Sequence, residues 1–131
     1  MTYALDTNII IHLMRGTHSV LANREHAKRN NARFVIPPIV NYEIQRRFII
    51  KPTKNAEIYK GLCTICDVGE MTQLIWICAA QIYADLHACS YTVSDADILI
   101  AAFCITNGYT LVTNDQHFRY INDLNHVDWV Q

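Results

Sequence analysis

The stretch Tyr3-Ala4-Leu5-Asp6-Thr7-Asn8-Ile9-Ile10-Ile11 places three polar residues inside an apolar run near the N-terminus. Tyr3–Leu5 has the composition of a short buried strand, and a helix is predicted near Asn8–Met14. Asp6 therefore leaves the carboxyl end of a strand. Two interpretations are open at this point: the polar residues cap the following helix, or Asp6 is an acid kept for chemistry.

Length and composition limit the class of protein. The chain has 131 residues, of which 51% are hydrophobic, so we expect a single domain over residues 1–131 with one core. This composition excludes a disordered chain. No apolar run approaches the roughly 20 residues that span a membrane, and we recognise no secretory leader. We expect a cytoplasmic protein that is not membrane-bound.

The five cysteines are an odd number without a secretory context, which argues against a disulfide framework. The pair Cys63-x-x-Cys66 has the spacing of a zinc or redox motif, but a zinc site needs two more ligands at suitable spacing. Cys78 and Cys89 lie in an apolar, helix-like segment, where cysteine behaves as a small hydrophobic residue. A structural role is the favoured interpretation for all of them.

The charge is distributed unevenly although the net charge is only −1. Residues 1–60 contain ten basic and four acidic residues, a net charge of +6, whereas residues 61–131 contain one arginine and eight acids, a net charge of −7. This asymmetry indicates either an anionic partner on one face or two ordinary solvated faces.

Short strands alternate with helices, and this order predicts an α/β fold with a mainly parallel sheet. The predicted strands are Tyr3–Leu5, Phe34–Ile36, Tyr109–Thr113 and one near His126–Val130. The other predicted helices are His18–Asn30, Ile39–Ile49, Lys54–Ile65, Met71–Cys89 and Ser94–Thr106. Functional sites in such sheets lie beyond the carboxyl ends of the strands. Asp6 and Asp115 both follow strand ends and are expected at the same edge.

Glu43 is predicted on the buried face of its helix. At 100° per residue Glu43 falls between the aliphatic side chains Ile39 and Val40, with Arg46 assigned elsewhere. An unpaired carboxylate there is costly, so it needs a cation or a proton. The ordinary alternative is an ion pair with a nearby arginine, such as Arg47 one turn on.

Two further acids have ordinary explanations when each is taken alone. Ser94 followed by Asp97 resembles a helix capping box, and Asp95 is favoured in a first turn by the helix dipole. Thr113-Asn114-Asp115 is compatible with a turn or a cap. Taken together with Asp6 and Glu43, these acids are harder to dismiss.

Converging carboxylates repel one another unless divalent cations hold them. Oxygen ligands without a cysteine or histidine cluster suit Mg²⁺ or Mn²⁺. Such ions activate water for phosphodiester displacement. Together with the basic N-terminal half, they also supply the positive charge that a nucleic acid requires.

Four segments, in this order and at these spacings, resemble the PIN-domain family, in particular its VapC-type toxins. They are ALDTNIIIHL, IPPIVNYEIQRRF, DADILIAAFCITNGYTLVTNDQHF and INDLNHVDWV. The resemblance covers nearly the whole chain and implies a three-layer α/β/α domain with metal-dependent ribonuclease activity. By motif position it implies a catalytic and metal-binding set of Asp6, Glu43, Asp97 and Asp115.

The resemblance also implies supporting polar residues, namely Thr7, Asn8, Thr113 and Asn114. Asp95 is an additional possible ligand, for which a capping role is favoured. His12 and His117 lie near the motif segments and are assigned to the surface or to a supporting position. The run Ile44-Gln45-Arg46-Arg47 departs from the family, which often has a small or apolar residue and a glycine after this acid.

A VapC-like toxin would bind a small VapB-like antitoxin, form a homodimer and act on structured RNA, with tRNA favoured. The apolar helix around Leu74–Ala80 is a candidate surface for such contacts, although burial in the core explains it equally well. One alternative is a PIN nuclease that works in RNA processing without an antitoxin. Another is a catalytically inactive PIN-like module that binds RNA or protein.

Overall fold

The computed structural model describes residues 1–131 and contains a five-stranded sheet in which all neighbouring strands are parallel. The strands are β1 (Thr2–Leu5), β2 (Arg33–Ile36), β3 (Asp67–Val68), β4 (Thr110–Val112) and β5 (His126–Val127). The α-helices are α1 (Thr7–Arg15), α2 (His18–Arg29), α3 (Pro38–Ile50), α4 (Asn55–Ile65), α5 (Gln73–Ala88) and α6 (Asp95–Asn107). A 3₁₀ helix covers Gln116–Tyr120.

The helices form two groups around the sheet. Helix α1 packs against α2, α3 and α4, whereas α5 packs against α6. Right-handed crossovers between parallel strands carry these two groups to opposite faces of the sheet. The predicted three-layer α/β/α architecture with a parallel sheet is therefore confirmed. None of the helices is both long and apolar enough to cross a membrane.

The strand order β3-β2-β1-β4-β5 reverses direction beside β1. The chain moves from β1 to β2 and β3 on one side, then returns through α5 and α6 to β4 on the other. Leu5 pairs with Val112 in the β1–β4 register, so the residues that follow these strands emerge side by side. This switch point is where parallel α/β sheets form their binding crevice.

Local signals fix the ends of the helices near this edge. Pro38 occupies the first turn of α3, where a missing N–H group costs no hydrogen bond. The Ser94 hydroxyl accepts a hydrogen bond from the Asp97 N–H at 3.2 Å and caps α6. Gly108 ends α6 with a φ of 71°, a left-handed conformation that glycine adopts without strain. The helix boundaries indicated by these residues are confirmed.

Helix α6 is buried over most of its surface. Ile98 and the run from Ile100 to Cys104 belong to the core, together with the strand residues Leu5 and Leu111. A helix that is apolar on nearly all sides is held between the sheet and α5, which fixes the position of its first turn. That first turn contains Asp97.

Some boundaries differ from the sequence-based predictions. Strand β3 and the 3₁₀ helix were not predicted, and the last strand ends at Val127 rather than near Val130. Strand β4 ends at Val112, so two residues separate it from Asp115 rather than one. Strand β3 has only two residues, both exposed, and it exists because β2 offers a free edge for pairing.

Candidate active site

Asp6 lies at the switch point and uses both carboxylate oxygens. Its backbone is extended, with φ −72° and ψ 160°, and its Oδ1 accepts a hydrogen bond from the Thr7 N–H at 2.8 Å. The Thr113 hydroxyl donates to Oδ2 at 2.7 Å. Asp6 is thus itself the N-cap of α1. Of the three polar residues considered as caps, Asn8 does not cap the helix, because α1 already begins at Thr7 and Asn8 is exposed within it.

Burial raises the pKa of the Asp6 carboxyl group from 3.8 to about 6. Loss of hydration is the largest cause, and the negative charges of Asp97 and Glu43 add to it. The hydrogen bonds from Thr113 and Thr7 lower the pKa but only partly offset the burial. Asp6 is consequently a buried acid whose charged form lacks compensation from any basic side chain.

Glu43 approaches Asp6 from α3. The Thr7 hydroxyl donates to Glu43 Oε1 at 3.1 Å, so Thr7 links the two acids through its backbone and its side chain. The arginine that comes near is Arg46, with Nη2 3.9 Å from Oε2, and not Arg47. The Glu43 side chain is 23% exposed, so it lies at the rim rather than on a fully buried face.

Asp97 enters the site from the first turn of α6. Its backbone N–H is bonded to Ser94, and its carboxylate forms no salt bridge. Burial raises the pKa of Asp97, and the charge of Asp115 raises it further. Asp97 therefore shares with Asp6 a charged form that is poorly stabilised by the protein alone.

Asp115 caps the 3₁₀ helix. Its Oδ1 accepts a hydrogen bond from the His117 N–H at 2.8 Å, and its own N–H donates to the Thr113 hydroxyl at 3.0 Å. Thr113 is buried and contacts Asp6 and Asp115 with one hydroxyl group. The neighbouring Asn114 has a buried side-chain oxygen without a hydrogen-bond partner.

The structure thus brings Asp6, Glu43, Asp97 and Asp115 together, with Thr7 and Thr113 between them. Asp95 does not join this group. It lies on the first turn of α6, as Asp97 does, but its side chain is exposed and forms no hydrogen bond or salt bridge with the other acids or with Thr7 and Thr113.

His117 is the residue whose proximity the sequence-based assignment underestimated. One ligand atom each from Asp97, Asp115 and His117 lie within 4.8 Å of one another. The sequence signal that could have placed His117 here is its position two residues after Asp115, because the carboxylate of an N-cap residue commonly accepts a hydrogen bond from the N–H group two positions later.

The charge balance of the group fits a divalent cation. No lysine or arginine forms a salt bridge with Asp6, Asp97 or Asp115, and Arg46 reaches only the outer oxygen of Glu43. Burial and neighbouring acids raise the pKa values of Asp6 and Asp97, and this cluster of carboxylates offers the hard oxygen donors that Mg²⁺ and Mn²⁺ prefer.

Comparisons with known proteins agree with this fold and identify the family. The PIN domain family model matches residues 3–124. Ribonuclease VapC1 of Rickettsia felis is 33% identical over 131 residues, which cover 95% of this chain and 93% of the relative. The VapBC-1 structure from nontypeable Haemophilus influenzae is similar with a TM-score of 0.87 and 25% identity, and all of both chains is covered.

The structure of VapBC2 from Rickettsia felis bound to a DNA fragment from the promoter shares the fold, with a TM-score of 0.91. It is 24% identical and covers 98% of this chain and 99% of that one. The chain therefore belongs to the PIN domain family, within its VapC-type branch, as the four sequence motifs indicate.

Proposed function

We propose that this chain is a divalent-metal-dependent endoribonuclease and the toxin of a VapBC-type toxin–antitoxin pair. The observation that carries the proposal is the convergence of four acids at the switch point of the sheet, where neither lysine nor arginine pairs with Asp6, Asp97 or Asp115. The relative named Ribonuclease VapC1 supports the reaction class. Mg²⁺ or Mn²⁺ is the proposed cofactor.

Each acid has a distinct place in the proposed mechanism. Asp6, Asp97 and Asp115 would hold the metal, with Glu43 completing the donor set from the rim. The metal, when bound, supplies an activated water and charge neutralisation for phosphodiester hydrolysis. Thr113 fixes the direction of the Asp6 carboxylate, and Thr7 fixes that of Glu43. No serine, cysteine or histidine nucleophile is required.

RNA is the proposed substrate, and structured RNA such as tRNA is favoured. Glu43 and Arg46 lie on α3, in the half of the chain that carries the net positive charge of +6. A basic surface beside an acidic centre attracts the phosphate backbone while the centre itself binds the metal.

A test of the proposed activity uses purified protein, total cellular RNA and Mg²⁺ or Mn²⁺, with the cut ends mapped by sequencing. Asp6→Asn and Asp97→Asn are expected to lose at least about 100-fold in cleavage rate, since each removes a charged ligand. Asp95→Asn is the matched control, because it removes a neighbouring exposed acid, and it should cleave like the wild type. Cleavage that persists in excess EDTA or in both site variants would refute the proposal.

Two exposed apolar surfaces support the proposed protein partners. The first, which we call the α5 surface, comprises Leu74, Trp76, Ile77 and Tyr83. The second, the α3–α4 surface, comprises Ile49, Ile50, Ile58 and Ile65. Burial in the core does not account for the segment Leu74–Ala80, since three of its large side chains are 48–68% exposed. Exposed apolar patches on this scale mark interaction sites.

The charges around the two surfaces favour different partners. Helix α5 carries a single acid, Asp85, and a two-fold homodimer brings a surface against itself, so an almost uncharged face suits self-association. The α3–α4 surface is flanked by Arg46, Arg47, Lys51 and Lys54, which would repel their own copies. It suits a partner segment that is both apolar and acidic, as expected of a VapB-like antitoxin.

A further inference from the structure

His117 stands beside the acids of the proposed metal site. Its Nδ1 lies 3.2 Å from Asp115 Oδ1. One ring nitrogen of His117 and one carboxylate oxygen each of Asp97 and Asp115 lie within 4.8 Å of one another. The cluster offers two carboxylates and one imidazole.

The position of the His117 ring follows from the local fold. Asp115 accepts a hydrogen bond from the His117 N–H, which holds the histidine backbone at the cap of the 3₁₀ helix. The next residue, Phe118, is fully buried and anchors the same turn in the core. The His117 side chain is 64% exposed, so its ring is accessible to an ion from solvent.

A surface ion pair alone explains little of this arrangement. An exposed carboxylate–imidazole pair contributes little to the stability of a protein. In contrast, neighbouring ligands about 2.1 Å from an octahedral cation lie about 3 Å apart, which is close to the observed spacing of Nδ1 and Oδ1. One imidazole among carboxylates favours Mn²⁺ over Mg²⁺, because nitrogen ligands suit transition metals.

We propose that His117 is a nitrogen ligand of the divalent cation held by Asp97 and Asp115, and that it biases the site toward Mn²⁺. The inference rests on the proposed metal-dependent function. It adds a nitrogen ligand, His117, to a site whose other proposed ligands are all carboxylate oxygens.

The test is the electron spin-echo modulation of Mn²⁺ bound to the full-length protein, because a coordinated imidazole gives a ¹⁴N signal. The wild type and His26→Ala are expected to show this signal, and His117→Ala is expected to lose it. His26 is the matched control since it is exposed on the last turn of α2, which leads to the amino end of β2, at the opposite edge of the sheet. Circular dichroism verifies that each variant is folded, and His117→Gln serves as a second variant.

A titration of free Mn²⁺, followed by its electron paramagnetic resonance, measures affinity in the same samples. His117→Ala should weaken Mn²⁺ binding about tenfold and Mg²⁺ binding, measured by competition, by less than about twofold. Mn²⁺ bound without a ¹⁴N signal in the wild type, or a signal retained in His117→Ala, would overturn the ligand role while leaving the metal-dependent function standing. A wild type that binds no Mn²⁺ would overturn both.

Discussion

Asp6 combines three roles that a single side chain rarely has together. It caps α1 through Oδ1, accepts the Thr113 hydroxyl through Oδ2, and faces the other acids of the site. Burial makes its charged form unfavourable, which is the condition under which a bound cation contributes most. Keeping Asp6 buried at the site therefore lowers the free energy of unfolding of the metal-free protein.

The cost of burying the charged Asp6 carboxylate predicts how the stability of the metal-free protein depends on pH. In the folded protein Asp6 keeps its proton up to about pH 6, whereas in the unfolded chain it releases it near pH 3.8. The folded state then binds more protons across this interval, so the free energy of unfolding falls as pH rises through it. The raised pKa corresponds to at most about 3 kcal/mol.

Asp6→Asn is expected to remove this loss, since it carries no charge: its amide oxygen can still accept the Thr7 N–H and cap α1, while its NH₂ group can donate to the Thr113 hydroxyl oxygen, which reverses the direction of that hydrogen bond. In EDTA, denaturant titrations from pH 4 to pH 7 should show a flatter profile than the wild type and greater stability at pH 7, with nuclease activity lost. Asp95→Asn, an exposed control, should retain the wild-type profile. An unchanged slope in Asp6→Asn would contradict the assignment.

Thr113 predicts a second effect at the same scale. Thr113→Val keeps the shape but leaves Asp6 Oδ2 and the Asp115 N–H without a hydrogen-bond partner, which costs about 1–3 kcal/mol. The pKa of Asp6 should rise further, because the Thr113 bond lowers it. Cleavage should fall about 10–100-fold, as for other residues that orient metal ligands.

Thermal unfolding and initial cleavage rates measure both effects of Thr113→Val. Thr110→Val is the control on the same strand, since the structure gives the Thr110 hydroxyl no hydrogen bond, and it should change neither quantity appreciably. Equal behaviour of the two variants would show that the Thr113 hydroxyl does not orient Asp6.

At the scale of elements, the sequence predicts most clearly the parts whose physics is local. The polar interruption after Leu5, the Pro37-Pro38 start of α3 and the Asn107-Gly108 end of α6 depend on neighbouring residues and are confirmed. Strand β3 depends on a partner: Asp67 pairs with Val35, which is 32 positions away, and two residues carry no periodicity. Such pairing is not visible in a local pattern.

The same distinction applies to the candidate site. Asp6 and Asp115 are predicted at one edge because they follow strand ends, Asp97 because it begins a helix, and Glu43 because it lies on the buried face of its helix. The structure brings the four acids together. The side chains that pair with these acids depend on tertiary detail. For this reason the sequence did not predict that Arg46 rather than Arg47 approaches Glu43, or which acids the His117 ring contacts. The catalytic roles themselves stay predictions until activity is measured.

Gly69 tests how the short edge strand packs on the core. A methyl group at this position would overlap the ring of Phe103, which is buried in α6. Gly69→Ala is therefore expected to lower the free energy of unfolding by about 1–3 kcal/mol, because the ring or the strand must shift.

Gly61→Ala is the matched control with the opposite expected sign. Gly61 lies inside α4 with no atom near the added methyl group, so alanine should raise stability by about 0.5–1 kcal/mol through helix propensity. Urea denaturation of both variants measures the difference. Stabilisation by Gly69→Ala would refute the close packing of this loop against Phe103.

At the scale of the whole molecule, the uneven charge of the sequence becomes an uneven surface. The basic half, residues 1–60, contains α1 to α3, the first part of α4 and the strands β1 and β2, whereas the acidic half supplies α5, α6 and two of the four site acids. Substrate RNA and an antitoxin are then expected on the basic layer, and self-association on the nearly uncharged α5 surface.

This division yields a prediction with two reciprocal variants. Trp76→Glu combined with Ile77→Glu would bury four unpaired carboxylates in a two-fold interface, so the dimer dissociation constant should rise by at least about 100-fold. Ile49→Glu combined with Ile50→Glu should leave the proposed dimer intact and weaken binding of the proposed VapB-like antitoxin, since an acidic segment would meet new acids. Light scattering after size exclusion and calorimetric titration measure the two quantities. If the α5 variant weakened antitoxin binding and the α3–α4 variant weakened the dimer, the two surfaces would have to be assigned the other way round. If neither variant changed either quantity, the assignment would be refuted. Both pairs of residues are exposed, so the substitutions leave the core in place.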